Sequence, residues 1–164
     1  FAPLPKYQFK IGLNLSSGAP SRVWQKDKWV ELIKLLLQET PNAQVFLIAL
    51  PHEREIAESI RVMSPGPVYL VPDHLDILEV TAVIKNLDLL VTPDTSLVHI
   101  ARACRIPVAG LYTRFAKNFN LWHPYAMKEE AVRAVHEDNI FDITVEQVWD
   151  KIKSLRKAGQ EVNR

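Results

Sequence analysis

Leu87-Asp88-Leu89-Leu90-Val91-Thr92-Pro93-Asp94-Thr95-Ser96-Leu97-Val98-His99-Ile100-Ala101 combines an apolar run, a breaker and a polar trio ahead of a second apolar pattern. Leu87 to Thr92 reads as a buried strand, and Pro93 as its stop. Asp94 is placed to cap a helix whose apolar positions begin with Leu97, Val98, Ile100 and Ala101. A helix entered directly from a strand turns its unsatisfied N–H groups toward the strand's end. Those donors and the helix dipole favour an anion there. Thr95 and Ser96 add hydroxyls, and His99 falls on the same helix face as Thr95. The stretch therefore reads as a phosphate or diphosphate site. The plainer alternative is an ordinary strand–helix unit in which Asp94 only caps and His99 packs half buried.

The flanking sequence repeats the same alternation. Lys10 to Leu15 forms a first strand, followed by the turn residues Ser16 to Ser21. A helix from Asp27 to about Thr40 carries Trp29, Leu32, Ile33 and Leu36 on one face. Ala43 to Leu50 is a continuous apolar strand of the kind buried on both faces. Pro51 opens a second helix that runs to Met63 with Ile56, Ala57 and Ile60 at helical spacing. Val68 to Val71 is a short third strand, and Leu75 to Asn86 a helix. After the opening stretch, which ends at Arg105-Ile106-Pro107, come a fifth strand at Val108 to Tyr112 and an irregular segment at 113–127. A weak sixth strand at Ala131 to Val135 and an amphipathic helix from Thr144 to Leu155 complete the pattern. Such alternation predicts an α/β fold, a doubly wound parallel sheet of the Rossmann-like order 3-2-1-4-5-6. Its switch point lies between strands 1 and 4, and the two unusual loops, Ser16 to Arg22 and Pro93 to Ser96, both leave those strands.

A chain of 164 residues suits one domain with a full core. A net charge of +1 gives no field for nucleic acid, and no nucleic-acid partner is expected. The single cysteine, Cys104, excludes an intrachain disulfide and is expected to pack at the end of a helix. No apolar run reaches the ~20 residues of a membrane helix, and no signal peptide is present. The chain begins Phe1-Ala2-Pro3-Leu4-Pro5, so residues 1–9 read as a linker from an N-terminal domain and 10–164 as the binding domain.

Several side chains could serve an anion site. Ser16, Ser17 and Gly18 offer hydroxyl and backbone donors, and Arg22 offers a permanently charged fork. Arg22 could equally be a solvated surface residue. Trp24 and Trp29 read as packing rather than ligand stacking. Glu53, in the first turn after strand 2, suits a carboxylate that bonds a ribose diol, or one that simply answers the helix dipole. The five histidines, His52, His74, His99, His123 and His136, lack metal-ligand spacing, so no metal site is expected. There is no G-x-x-x-x-G-K-[ST], G-x-G-x-x-G or G-x-S-x-G, which removes the main support for P-loop, dinucleotide and serine-hydrolase readings.

Ser17-Gly18…Arg22-x-Trp24…Trp29, Pro51-His52-Glu53, Asp94-Thr95-Ser96-x-x-His99-Ile100-Ala101 with Ile106-Pro107, and Trp122-His123-Pro124 together carry a resemblance. Over nearly its whole length the chain resembles the C-terminal, nucleotide-sugar-binding domain of glycosyltransferase family 9, the lipopolysaccharide heptosyltransferases. The Asp-Thr-x-x-x-His-x-Ala element is the specific part. Two departures stand out: Ser96 where the family often has Gly, and Arg22 where many members have Lys.

The resemblance implies the C-terminal half of a two-domain GT-B enzyme, an inverting, metal-independent transferase that builds bacterial envelope glycans and needs no cofactor. Its donor would be a nucleotide-diphosphate sugar such as ADP-heptose, and its acceptor a lipopolysaccharide core or related glycan. Asp94, Thr95 and Ser96 would hold the diphosphate with His99 beside it, Ser17, Gly18 and Arg22 would complete the anion site, Glu53 would bond the ribose, and Leu75 would line the base pocket. The general base would come from the N-terminal domain, so this half alone is expected to transfer nothing. A cytoplasmic enzyme is implied, with peripheral association at the cytoplasmic face of the inner membrane left open. Two other readings stand beside this one: a nucleotide-binding module without transfer, and part of a sugar-nucleotide epimerase.

Overall fold

The computed structural model describes residues 9–124 and 130–162. Residues 1–8 of the expected linker and 125–127 of the irregular segment lie outside them.

Six strands form one sheet: β1 (Phe9–Asn14), β2 (Ala43–Ile48), β3 (Val68–Leu70), β4 (Leu89–Pro93), β5 (Val108–Tyr112) and β6 (Ala131–Arg133). Their order is β3-β2-β1-β4-β5-β6 and every pairing is parallel. This is the doubly wound, Rossmann-like arrangement expected from the sequence. The helices are α1 (Lys26–Glu39), α2 (Arg54–Met63), α3 (Ile77–Lys85), α4 (Ser96–Ala103), α5 (Ala116–Trp122) and α6 (Val145–Val162). No helix among the described residues is long and apolar enough to cross a membrane.

The strands are apolar on both faces because both are covered. Ile11, Leu13, Val45, Leu47, Leu89, Val91, Ala109 and Leu111 face a core built with α1, α2 and α6. Ile48, Leu90, Val108 and Tyr112 face a second core with α3, α4 and α5, into which Ile84, Val98, Ala101 and Phe119 project. The period of two along β4 thus divides Leu89 and Val91 from Leu90. Gly12 leaves room for neighbouring leucines: a Cβ there would come within 2.4 Å of Leu87 Cδ1 and 3.0 Å of Leu90 Cδ1, and those side chains would have to move. Trp24 and Trp29 pack edge to face with centroids 4.7 Å apart, and Trp24 Nε1 donates to the Ile143 carbonyl at 2.9 Å. Both are core residues, as their sequence setting suggested.

Several boundaries differ from the sequence reading. Phe9 belongs to β1 rather than to the linker. Pro93 does not stop β4 but ends it in register with Leu111, and Asp94 N–H still donates to the Leu111 carbonyl at 3.1 Å. A proline is tolerated at that end because its missing N–H falls where pairing is already finishing. A short 3-10 turn, Pro51–Glu53, precedes α2. Helix α3 starts at Ile77 because Asp76 forms a capping box with Glu79, later than the Leu75 start expected. The irregular segment contains α5, and α6 runs past Leu155 to Val162. Cys104 is half-buried and caps the end of α4.

Candidate functional site: an anion and base cleft at the switch point

β1 and β4 are neighbours, yet the chain leaves them in opposite directions, which opens a crevice beyond their carboxyl ends. A cleft of about 480 Å³ lies there. Ser17, Gly18, Arg22, Leu75, Asp94, Thr95 and Ser96 all line it, together with Asn14 and Ser16. Glu53 and His99 do not line it.

The cleft has two chemically distinct ends. One gathers the polar residues of the loops after β1 and β4. The other is walled by apolar side chains such as Ile48, Leu50, Val71, Leu75 and Val80. Few polar groups converging beside an apolar wall is the usual form of a small-molecule site.

The polar end is assembled on Asn14, the last residue of β1, which is buried. Its Nδ2 donates to the Thr92 hydroxyl at 2.8 Å, to the Ser16 carbonyl at 3.2 Å and to the Thr95 hydroxyl at 3.3 Å. Its Oδ1 accepts from Ser16 N–H at 3.2 Å. One amide thereby fixes both loops relative to each other. Asn14 read as an ordinary strand residue in the sequence; a polar side chain at the carboxyl end of the first strand is the signal that marked it.

The cap of α4 differs from expectation. Thr95, not Asp94, is the N-cap, its hydroxyl accepting from Leu97 N–H at 3.3 Å. That hydroxyl also meets Asn14 and, at 3.1 Å, Thr92 Oγ1. It is committed to the scaffold, so the donors that α4 turns to the cleft are its first backbone N–H groups and the exposed Ser96 hydroxyl. Ser17 is similarly committed: its hydroxyl donates to the Ala19 carbonyl at 2.8 Å and shapes the loop.

Asp94 instead pairs with Arg22. A 3-10 turn over Pro20–Arg22, closed by Arg22 N–H to the Ala19 carbonyl at 3.0 Å, directs the arginine across the cleft. Its Nη1 donates to the Asp94 carbonyl at 2.9 Å and to Asp94 Oδ2 at 3.2 Å. Asp94 is buried, whereas Arg22 keeps about a third of its side chain exposed, 31%. Among the described residues Nη2 and Nε make no hydrogen bond, so the rest of its fork could donate to an anion.

Glu53 flanks the lining next to Ser16, whose hydroxyl donates to its Oε2. His99 is half-buried on α4 and packs edge-on against Trp122, with ring centroids 6.1 Å apart. Tyr112, at the end of β5, donates to the Trp122 carbonyl at 2.9 Å. Burial first, then the negative charges of Asp94 and Glu130, push its phenol well above the ordinary range. Among the described residues no group of three or more His, Cys, Asp or Glu is placed to hold a metal ion.

Comparisons with known proteins bear on the fold and the family. The fold matches the structure of Escherichia coli ADP-heptose lipopolysaccharide heptosyltransferase II with a TM-score of 0.78 at 21% identity, over 96% of this chain and 49% of that one. It matches a family 9 glycosyl transferase from Veillonella parvula with a TM-score of 0.77 at 16% identity, over 93% and 47%. E. coli heptosyltransferase WaaC, solved with ADP, matches with a TM-score of 0.70 at 20% identity, over 92% and 45%. The chain spans about half the length of these proteins, and at such identities the likeness is one of fold, the Rossmann-like half of a GT-B glycosyltransferase. Comparison with curated proteins gives no match. The sequence model of glycosyltransferase family 9 (heptosyltransferase) matches residues 3–152, nearly the whole chain, and the chain therefore belongs to that family.

Proposed function

We propose that this chain is the donor-binding half of a glycosyltransferase that uses a nucleotide-diphosphate sugar, with ADP-heptose as the donor and a lipopolysaccharide core or related envelope glycan as the acceptor. The observation that carries the reading is the two-ended cleft at the switch point, polar under Arg22 and the start of α4, apolar under Leu75 and its neighbours. The diphosphate fits the first end and the base the second. Family membership and the ADP-heptose named for the similar E. coli enzyme support the choice of donor.

In the proposed reaction an acceptor hydroxyl attacks the anomeric carbon from the face opposite the diphosphate, inverting it. The bond from that carbon to the β-phosphate oxygen breaks, and negative charge grows on the leaving nucleoside diphosphate. Arg22 and the first N–H groups of α4 are set to stabilise that charge. These groups substitute for a metal in that role. The base that takes the acceptor proton comes from the enzyme's other half, across the cleft.

A calorimetric titration of the chain with ADP, UDP, GDP, CMP and adenosine tests this. The expected result is binding of ADP ahead of the other nucleotides, a large loss for adenosine, no effect of EDTA, and no sugar transfer by the chain alone. Absence of nucleoside diphosphate binding, or adenosine binding as tightly as ADP, contradicts the reading.

A further inference from the structure

Ser16 and Glu53 form a directed hydrogen-bond relay beside the cleft. Glu53 N–H donates to the Leu50 carbonyl at 2.9 Å, closing the 3-10 turn that follows β2. Leu50 N–H donates to Ser16 Oγ at 2.8 Å. The serine hydroxyl has a single proton, and with the amide donating into its oxygen that proton goes to Glu53 Oε2. The relay runs one way, from backbone amide through hydroxyl to carboxylate, and each bond polarises the next. Ser16 is buried and lines the cleft, and Glu53 is half-buried. Among the described residues Oε1 of Glu53 makes no hydrogen bond, so the relay holds one carboxylate oxygen and leaves the other as an acceptor.

Resting on the nucleotide reading above, we propose that Ser16 is a positioning residue for ribose recognition: it holds the Glu53 carboxylate in the orientation that accepts the donor's ribose hydroxyls. A glutamate on an exposed turn would otherwise spread over several rotamers, and ordering it at each binding event would weaken selection of the diol. The hydroxyl of Ser16 settles that ordering before the ligand arrives. Through Glu53 its hydroxyl acts chiefly on the ribose hydroxyls.

The probes are ADP and its 2′,3′-dideoxy analogue, titrated calorimetrically into the chain and into Ser16→Ala, Glu53→Gln and the double variant. The unaltered chain is expected to prefer ADP by about tenfold or more, the worth of a charge-assisted hydrogen bond. Ser16→Ala should cut that preference to about threefold or less, the loss falling mainly on ADP rather than on the dideoxy analogue. Glu53→Gln should cut it similarly, and the double variant should lose no more than either single variant, the signature of residues acting as a unit. If Ser16→Ala weakens both probes equally, Ser16 merely supports the loop and the proposal fails. An unchanged preference also overturns it. If the unaltered chain binds neither probe, the nucleotide reading itself has failed. Should Ser16→Ala not fold, a full ribose preference in Glu53→Gln still refutes the proposal.

Discussion

Arg22 and Asp94 stand 72 residues apart in sequence and meet across the switch point, the guanidinium bonding both the carbonyl and the carboxylate of the aspartate. One side chain thus ties the loop after β1 to the turn before α4 while keeping donors for a ligand. The aspartate that sequence alone assigns to a helix cap is instead the counter-charge that orients Arg22.

That pairing gives Arg22 two separable duties. Arg22→Ala should weaken ADP binding at least about tenfold, the loss of one charge-assisted contact, and change adenosine binding little. It should also lower stability by about 1–2 kcal/mol, between the values for exposed and buried pairs, because Asp94 is buried and loses this partner. Calorimetry and urea denaturation measure the two effects. Arg22→Ala/Asp94→Asn should recover part of the stability without recovering ADP affinity. Full recovery of affinity would show that Arg22 acts only through Asp94.

Asn14 is expected to matter more for folding than any residue that touches only the cleft. Asn14→Ala strands the Thr92 hydroxyl and the loop groups around Ser16, and should cost about 2–4 kcal/mol. A shift of the urea midpoint at constant slope measures that loss. ADP affinity should fall as well, since the two loops lose their common tether.

Tyr112 makes stability depend on alkaline pH. Its phenol stays protonated in the folded chain above the ordinary 10.0 at which the unfolded chain releases the proton. In that window the unfolded state binds fewer protons, so stability is complete below it and falls as pH rises through it, by up to about 1.4 kcal/mol per unit. Tyr112→Phe should be less stable than the parent near neutrality, because the Trp122 carbonyl loses its donor, yet fall less steeply above pH about 10. Denaturation at two pH values checks it; parallel slopes for the two proteins would be inconsistent with a protonated, buried phenol.

How much of this was legible beforehand follows from the kind of interaction involved. The strand order was readable because runs such as Val45 to Ile48 and Leu89 to Val91 are too apolar for anything but a sheet covered on both faces, and right-handed crossovers leave few ways to connect them. The convergence of the loops after β1 and β4 followed from that order, whereas the pairing of Arg22 with Asp94 was not read from it. The local assignments failed where two chemically suitable residues were adjacent. Asp94 and Thr95 both cap helices well, and the choice fell to Thr95 because backbone pairing with Leu111 carries β4 to Pro93 and bonds Asp94 beyond it. Asn14 passed as a strand residue and Ser16 was read as a donor to an anion, since their contacts with Thr92, Thr95 and Glu53 are ones no local pattern encodes. Glu53 and His99 were singled out by their positions in the sequence and again by the resemblance, and neither is among the residues that line the cleft.

The central claim is that a nucleoside diphosphate binds at the switch point, its phosphates at the start of α4. The most direct measurement is a titration of the isotopically labelled chain with ADP, followed by amide NMR. The account predicts that the largest shifts fall on Ser16 to Arg22 and Asp94 to Leu97, that a second set falls near Leu50 and Leu75, and that adenosine reproduces only the second set. Shifts centred elsewhere, on the outer face of α2 or around β6, or an unchanged spectrum at saturating ADP, would contradict it.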